Sequence, residues 1–478
     1  MILRNRAGGR VYTGTVRSRS LSFTLLLVFF FTAAVLSPAQ VRHTLHYAPG
    51  KSIVLSLPAN FDIDVAASGL HRVRFFARSP DGRVFVTGMH DISDNTQGSV
   101  FILDGWDGQA HRFTRVVHYL DHLRNPNNLA FWTDPATHES WLYLPLTDRL
   151  VRYRYNAGDN APSSRPETLI RFPDYGLSYK YGGWHLTRTV AVAQVNGAAR
   201  IFVSAGSSCN YCQEHEVLRA SVVSMDPDGQ HPSMVAQGLR NAVDLRAVPE
   251  LDGGALFATN MGDDHLGDQL PEDTFFEVDR HPASALNYGW PTCYFAGGKP
   301  VLDTTPLPAL DDPHKLAEVP ARDSGDSVYG KQAGVAAAGT NLAAGGGHAS
   351  GADPDAALGH APAALNSCEH VPPAYTTFAA HSSPLGFTYF GDADSVLHDS
   401  FVVALHGASH PHIGTGYRVV RFTPADRKPR DFITGFLTKE NGKPVVHGRP
   451  CGILRMGPDS FLLTDDYLGL VYFIHPRG

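Results

Sequence analysis

The chain has 478 residues, of which 43% are hydrophobic and 18% charged, a balance that supplies a large core and excludes a disordered tail. Its 40 lysines and arginines face 46 aspartates and glutamates, for a net charge of -6, and the cations are dispersed along the chain. No nucleic acid or other polyanion is therefore expected as a partner.

The first element in chain order is a basic stretch, RNRAGGRVYTGTVRSRS, followed by the apolar run LSFTLLLVFFFTAAVL and the small residues Ser37 and Ala39. This is the order of a secretory signal peptide, and the apolar run of roughly 16 residues falls short of the ~20 that a spanning helix needs. Residues 1–39 are read as a signal peptide cleaved after Ala39, which makes the protein periplasmic or secreted. A retained N-terminal anchor is the lesser alternative.

From residue 40 onward helical periodicity is scarce, and short alternating runs bounded by Gly, Pro, Asp and Asn recur. Two stretches show the unit best: VRFFARSPDGRVFVTGMHDISDNTQGSVFILDG and GILRMGPDSFLLTDDYLGLVYFIH. Further copies start near Asn125, His185, Gly238 and His381, giving about six units at irregular spacing, which suits a propeller better than a solenoid. The expected fold is all-β: a single six-bladed β-propeller of four-stranded antiparallel blades over residues 40–478, with a β-sandwich as the alternative. The segment KSIVLSLPANFDIDVAAS is expected to supply the outer strand of the last blade and so remove an open edge. Between about Asp311 and Asn366 the composition turns to Ala, Gly, Asp and His, which reads as a flexible insertion within one blade.

Five cysteines fit an oxidising compartment. Cys209 and Cys212 form a C-x-x-C followed by Gln213 rather than His, so c-type haem attachment is not indicated, and a local disulfide is expected. Cys293 and Cys368 flank the insertion and can pair across it, leaving Cys451 as the odd thiol.

Loops at one end of a propeller channel converge, so chemistry is sought where inner strands begin. Four stretches qualify: GGWHLTR, GLRNAVDL, NMGDDHLGDQLPEDTFFEV and HGRPCGIL. The imidazole of His185 suits proton abstraction near neutral pH, and a hydrogen-bonded structural histidine is the competing reading. Arg240, with Asn241 beside it, offers a planar fork to an oxygen-rich anion, although a buried ion pair would use the same residues. The third stretch is acid-rich and broken by Gly262, Gly267 and Pro271, as a calcium site requires. It lacks the regular calcium-loop spacing, so a solvated acidic loop is an equal alternative. Arg449 precedes Pro450 before the last inner strand, and its role is open on pattern alone.

Taken in order, WHLTRTV, AGSSCNYC, GLRNAVDL, GDDHLGDQLPEDTFFEV, LNYGWPTCY, AHSSPLGFTYF, VVALHGASH and GRPCGILRMGPDSFLLTDD resemble the soluble pyrroloquinoline quinone (PQQ)-dependent sugar dehydrogenases, also called glucose/sorbosone dehydrogenases. The resemblance runs from about His185 to the C-terminus. It implies a six-bladed propeller that oxidises an aldose at C1 using PQQ and calcium and passes electrons to a separate acceptor, a cytochrome or a quinone. It makes His185 the general base and sets Arg240 and Asn241 on the quinone oxygens, with Met261, His406 and Arg449 also at the cofactor. Gly262 and Asp263 would give main-chain oxygens to the active-site calcium, and Asp273 and Tyr288 would serve a second, structural calcium. The chain departs from the family at Asp263, where some members have proline, and at HGASHPHIG, which lacks the family's arginine. Two other readings stay open: a non-catalytic calcium-binding propeller, and a calcium-dependent lactonase.

Overall fold

The computed structural model describes residues 39–173, 185–308, 358–361 and 364–477, and within them the elements of regular structure are β-strands. The expected leader and most of the Ala/Gly-rich insertion lie outside the described residues.

Six four-stranded antiparallel blades form the body. Their innermost strands are Val73–Arg78 (blade 1), Ala130–Thr133 (blade 2), Arg188–Val195 (blade 3), Ala242–Val248 (blade 4), Pro384–Phe390 (blade 5) and Pro450–Arg455 (blade 6). Each begins within a few residues of a predicted repeat start. Blade 3 gains a short fifth strand, Leu286–Asn287, which pairs in parallel with Ser233–Gln237.

A blade stacked between two neighbours buries both faces, so its middle strands read as continuous apolar runs rather than alternating ones. Ser400–Leu405 and Phe461–Asp465 are buried at every position. Between blades 4 and 5 the filling is aromatic: the Phe275 ring meets Phe387 at 4.9 Å and Phe401 at 5.2 Å.

A recurrent hydroxyl stitches blades together near the axis. Thr87, Ser204, Thr259 and Thr464 each end a second strand of the VFVTG or IFVSA kind, and each donates to a main-chain oxygen of the next blade: Asn127, Ala242, Leu385 and Arg74 at 2.5–2.9 Å. The inner strands approach so closely there that a Cβ on Gly386 would stand 2.5 Å from Cys451 O, and one on Gly452 2.3 Å from Arg74 O.

Ring closure follows the expectation in its second half. Phe61–Ala67 pairs antiparallel with Leu470–Pro476, so the N-terminal segment completes blade 6 and covers the edge of the C-terminal strand. The first half behaves differently: Lys51–Pro58 forms a hairpin with Gln40–Ala48 and bonds to blade 5 through Ser56 and Thr434. Its apolar face, Leu45, Ile53, Leu55 and Leu57, packs into the core that holds Phe432 and Phe436, which explains why those residues alternate.

Both expected disulfides are present, Cys209–Cys212 and Cys293–Cys368, and Cys451 is the buried free thiol. The insertion leaves blade 4 between its third strand, Asp273–Val278, and its fourth, Thr376–Phe378. Where the chain is described again, Leu358 is buried against the blade 2–3 core and Gln237 donates to the His360 carbonyl at 2.6 Å.

Candidate functional site

Strand alternation in each blade puts two kinds of loop at one end of the channel: those entering the innermost strands and those joining second to third strands. His185, Arg240, Asn241 and Arg449 lie in the first kind, and Met261, Gly262, Asp263 and His406 in the second. The structure thus brings them to a common rim, in two groups.

The first group belongs to blades 3 and 4. His185 is buried, and its Nδ1 stands 3.0 Å from both the carbonyl oxygen and the hydroxyl of Ser207. A carbonyl only accepts, so the proton sits on Nδ1 and Nε2 keeps its lone pair. Burial, then the Arg240 guanidinium, pushes the imidazole well below its ordinary pKa, which leaves it neutral at pH 7. Gly206 makes room for it: a Cβ there would meet His185 Cβ at 2.5 Å and Asn241 Oδ1 at 2.7 Å.

Arg240 is fixed from three directions. Its Nε donates to Asn210 O at 2.9 Å, Nη2 to Asn210 Oδ1 at 2.7 Å and Nη1 to Gly262 O at 2.5 Å, with Asp264 at 3.7 Å. Asn241 is held less firmly. Among the described residues its Oδ1 is buried without a hydrogen bond, and its Nδ2 meets the Met261 sulfur alone, at 3.4 Å.

Ser207 and Asn210 were not singled out in the sequence, yet they orient His185 and Arg240. Both belong to the loop that carries the Cys209–Cys212 bridge, in which Ser207 donates to Cys209 O at 2.6 Å and buried Glu214 accepts from Ser208 N and Oγ at 2.6 and 2.7 Å. The C-x-x-C was the available signal.

In the acidic turn the carboxylates meet histidines. Asp263 is buried, its Oδ1 lies 2.6 Å from His265 Nδ1 without hydrogen-bond geometry, and His265 Nε2 is 2.6 Å from Asp303 Oδ2. Burial opposes the charged imidazole, but Asp263 and Asp303 outweigh it and raise the pKa of His265, while the Tyr211 ring stacks on it at 3.7 Å. Asp264 bonds His381 at 3.0 Å and, through that bond, lifts the His381 pKa to about 9.

Asp273 uses both oxygens internally, accepting from Gly262 N at 2.7 Å and Ser383 N at 2.8 Å, and burial raises its pKa to about 7. The Tyr288 hydroxyl instead meets Glu277 O and Asp279 N, each at 3.4 Å, so the two candidates for a structural calcium share no partner.

The second group joins blades 5, 6 and 1. Arg449 is buried under Tyr417 and donates to Gly407 O, Ala408 O and the Tyr417 hydroxyl at 2.9–3.0 Å. His406 Nε2 lies 2.8 Å from Asp466 Oδ1, and burial lowers the His406 pKa to about 4. Burial also disfavours the Asp466 anion, but His406, Arg74 and Arg72 together hold its pKa below the usual carboxylate range. Arg72, Arg74 and Asp466 carry no motif and escaped the sequence reading.

No family model and no curated protein matches the chain. Solved structures do. The holo PQQ domain of pyranose dehydrogenase from Coprinopsis cinerea aligns with a TM-score of 0.57 at 16% identity, over 88% of this chain and 97% of that one. A calcium structure of a family AA12 carbohydrate-active enzyme from Trichoderma reesei gives 0.57 at 16%, over 93% and 98%. A glucose dehydrogenase gives 0.50 at 12%, over 87% and 99%. The chain shares their fold. This six-bladed fold is the one expected from the repeats.

Proposed function

We propose that the protein oxidises the C1 hydroxyl of an aldose or related sugar to the lactone, using PQQ and calcium, in the periplasm or outside the cell. The observation that carries this reading is the neutral, buried His185, whose Nδ1 is engaged by Ser207 and whose Nε2 faces no protein hydrogen-bond partner among the described residues.

The residues present fit both groups. Calcium takes oxygen donors, and the turn offers the main-chain oxygens of Gly262 and Asp263 together with the buried Asp263 Oδ1 that lacks a hydrogen bond. An acidic quinone is matched by Arg240 on one side of the rim and Arg449 on the other, and by Asn241, an amide without a strong partner at either end. When bound, PQQ supplies the two-electron acceptor and calcium polarises it.

The remaining work falls to the chain. Ser207 holds the ring so that Nε2 is the accepting atom, and burial beside Arg240 keeps it unprotonated until it takes the proton of the sugar hydroxyl. Arg240, immobilised by Asn210 and Gly262, presents fixed positive charge where negative charge develops, without reorganising. The disulfide loop fixes the positions of both residues.

The test is reconstitution of the purified protein with PQQ and calcium, followed by dye reduction across an aldose panel. The expected result is a quinone absorbance change on addition of both groups and turnover that requires both; failure to bind PQQ overturns the proposal.

A further inference from the structure

At the opposite end of the propeller from this rim, three side chains from distant parts of the sequence converge on one point. Asp64 lies in the outer strand of blade 6, His475 near the end of that blade's third strand, and His111 in the turn between the third and fourth strands of blade 1. His111 Nδ1 stands 2.8 Å and His475 Nε2 3.0 Å from the same oxygen, Asp64 Oδ2, and the ligating atoms all lie within 4.8 Å of one another. The two imidazole rings are 4.2 Å apart, and Phe473 packs against both.

The hydrogen bonding of His475 fixes which ring nitrogen faces Asp64. Its Nδ1 lies 2.8 Å from the carbonyl oxygen of Pro476, which can only accept, so the ring proton belongs on Nδ1. Its Nε2 faces the Asp64 carboxylate oxygen, where either a second ring proton or a metal cation satisfies both atoms. An imidazole whose far nitrogen is tied to a backbone carbonyl is also the usual arrangement of a metal-ligating histidine, because that bond fixes the ring and raises its basicity.

We propose that Asp64, His111 and His475 bind a first-row divalent transition ion such as zinc, which clasps the closure of the ring. Two imidazoles and one carboxylate form a donor set for such an ion rather than for calcium or magnesium, which prefer oxygen alone. The spacing requires little movement, since donors around tetrahedral zinc stand about 3.3 Å apart at bond lengths near 2.0–2.1 Å. Asp62, the cross-strand partner of His475, adds negative charge nearby and is itself held by Arg477 at 2.9 Å and His43 at 3.4 Å. The three ligands come from the N-terminal strand, the C-terminal strand and blade 1, so the ion ties together segments that only non-covalent pairing otherwise joins. Anything that binds only the folded ring stabilises it by mass action.

The experiment uses the full chain, stripped of transition metals and kept in excess calcium, titrated with cobalt(II) as a spectroscopic probe and with zinc. The chain has 24 histidines, so the comparison with variants decides the site. His111 has a φ of 50°, so His111→Asn is the conservative choice, because asparagine tolerates that backbone and is too short to reach. The expected result is one tight equivalent with ligand-field bands, at least tenfold weaker binding in His111→Asn and in His475→Gln, and a Tm that rises with zinc concentration in the parent alone. Equal binding and an equal zinc-dependent Tm in the double variant overturn the proposal, as does a parent that binds no cobalt.

Discussion

The two sides of the channel rim hold their imidazoles and guanidinium groups by different means. On the blade 3–4 side His185 and Arg240 are gripped from behind chiefly by neutral oxygens of Ser207, Asn210 and Gly262, with the Asp264 carboxylate 3.7 Å from Arg240, and Nε2 of His185 has no protein hydrogen-bond partner among the described residues. On the blade 5–6–1 side Arg74 and His406 are bound to Asp466, and Arg449 is folded under Tyr417 against two carbonyls. The first arrangement suits groups that must act on a proton or on developing charge; the second suits a fixed positive wall.

The contrast predicts separate effects on turnover, affinity and stability. His185→Gln should lower kcat by about 10²–10⁴ while PQQ binding and Tm stay near the parent values, since only proton transfer is lost. Titrating PQQ into the variant separates this from a folding defect. Asp466→Asn should do the reverse, destabilising the protein by roughly 3–5 kcal/mol through uncompensated buried cations, with a lower denaturation midpoint and weaker PQQ binding. If Asp466→Asn alters kcat alone, the division between the two sides fails.

Removing the Cys209–Cys212 bridge by Cys209→Ser with Cys212→Ser should reduce kcat by about tenfold and leave affinity for PQQ less affected, because the loop that aims His185 and Arg240 loosens. The smallest effect concerns pH. The His185 pKa is depressed, so the imidazole is neutral at and above its ordinary value, and kcat/KM should hold from pH 8 down to about 6.5 and fall only below. His381 has the opposite sign: its pKa is raised to about 9 by Asp264, so its stabilisation is complete below about 6.5 and is lost as pH rises through about 9. The Tm gap between the parent and His381→Gln should accordingly close between pH 6 and pH 9.5.

Much of the fold was legible because it repeats. A blade buried on both faces needs continuous apolar strands, and VFVTG, IFVSA and FLLTD announce them locally. The site was legible where its residues stand at the start of an inner strand, as in WHLTR and GLRN, since position in the repeat already implies the rim. Asp466 and Arg74 were not, because a charged residue in a strand pattern looks the same whether it faces solvent or a partner 392 residues away.

The sequence by itself pointed to about six blades, to closure by the segment KSIVLSLPANFDIDVAAS, to a local Cys209–Cys212 bridge and to which loops meet at one end, since these follow from short-range pattern and strand alternation. Only the tertiary structure decided which nitrogen of His185 is left without a hydrogen-bond partner among the described residues, that Gly262 O accepts from Arg240, and that Asp64, His111 and His475 meet at one oxygen. Those depend on distances of about 3 Å between segments that ring closure alone brings together, and no local pattern encodes a distance of that kind.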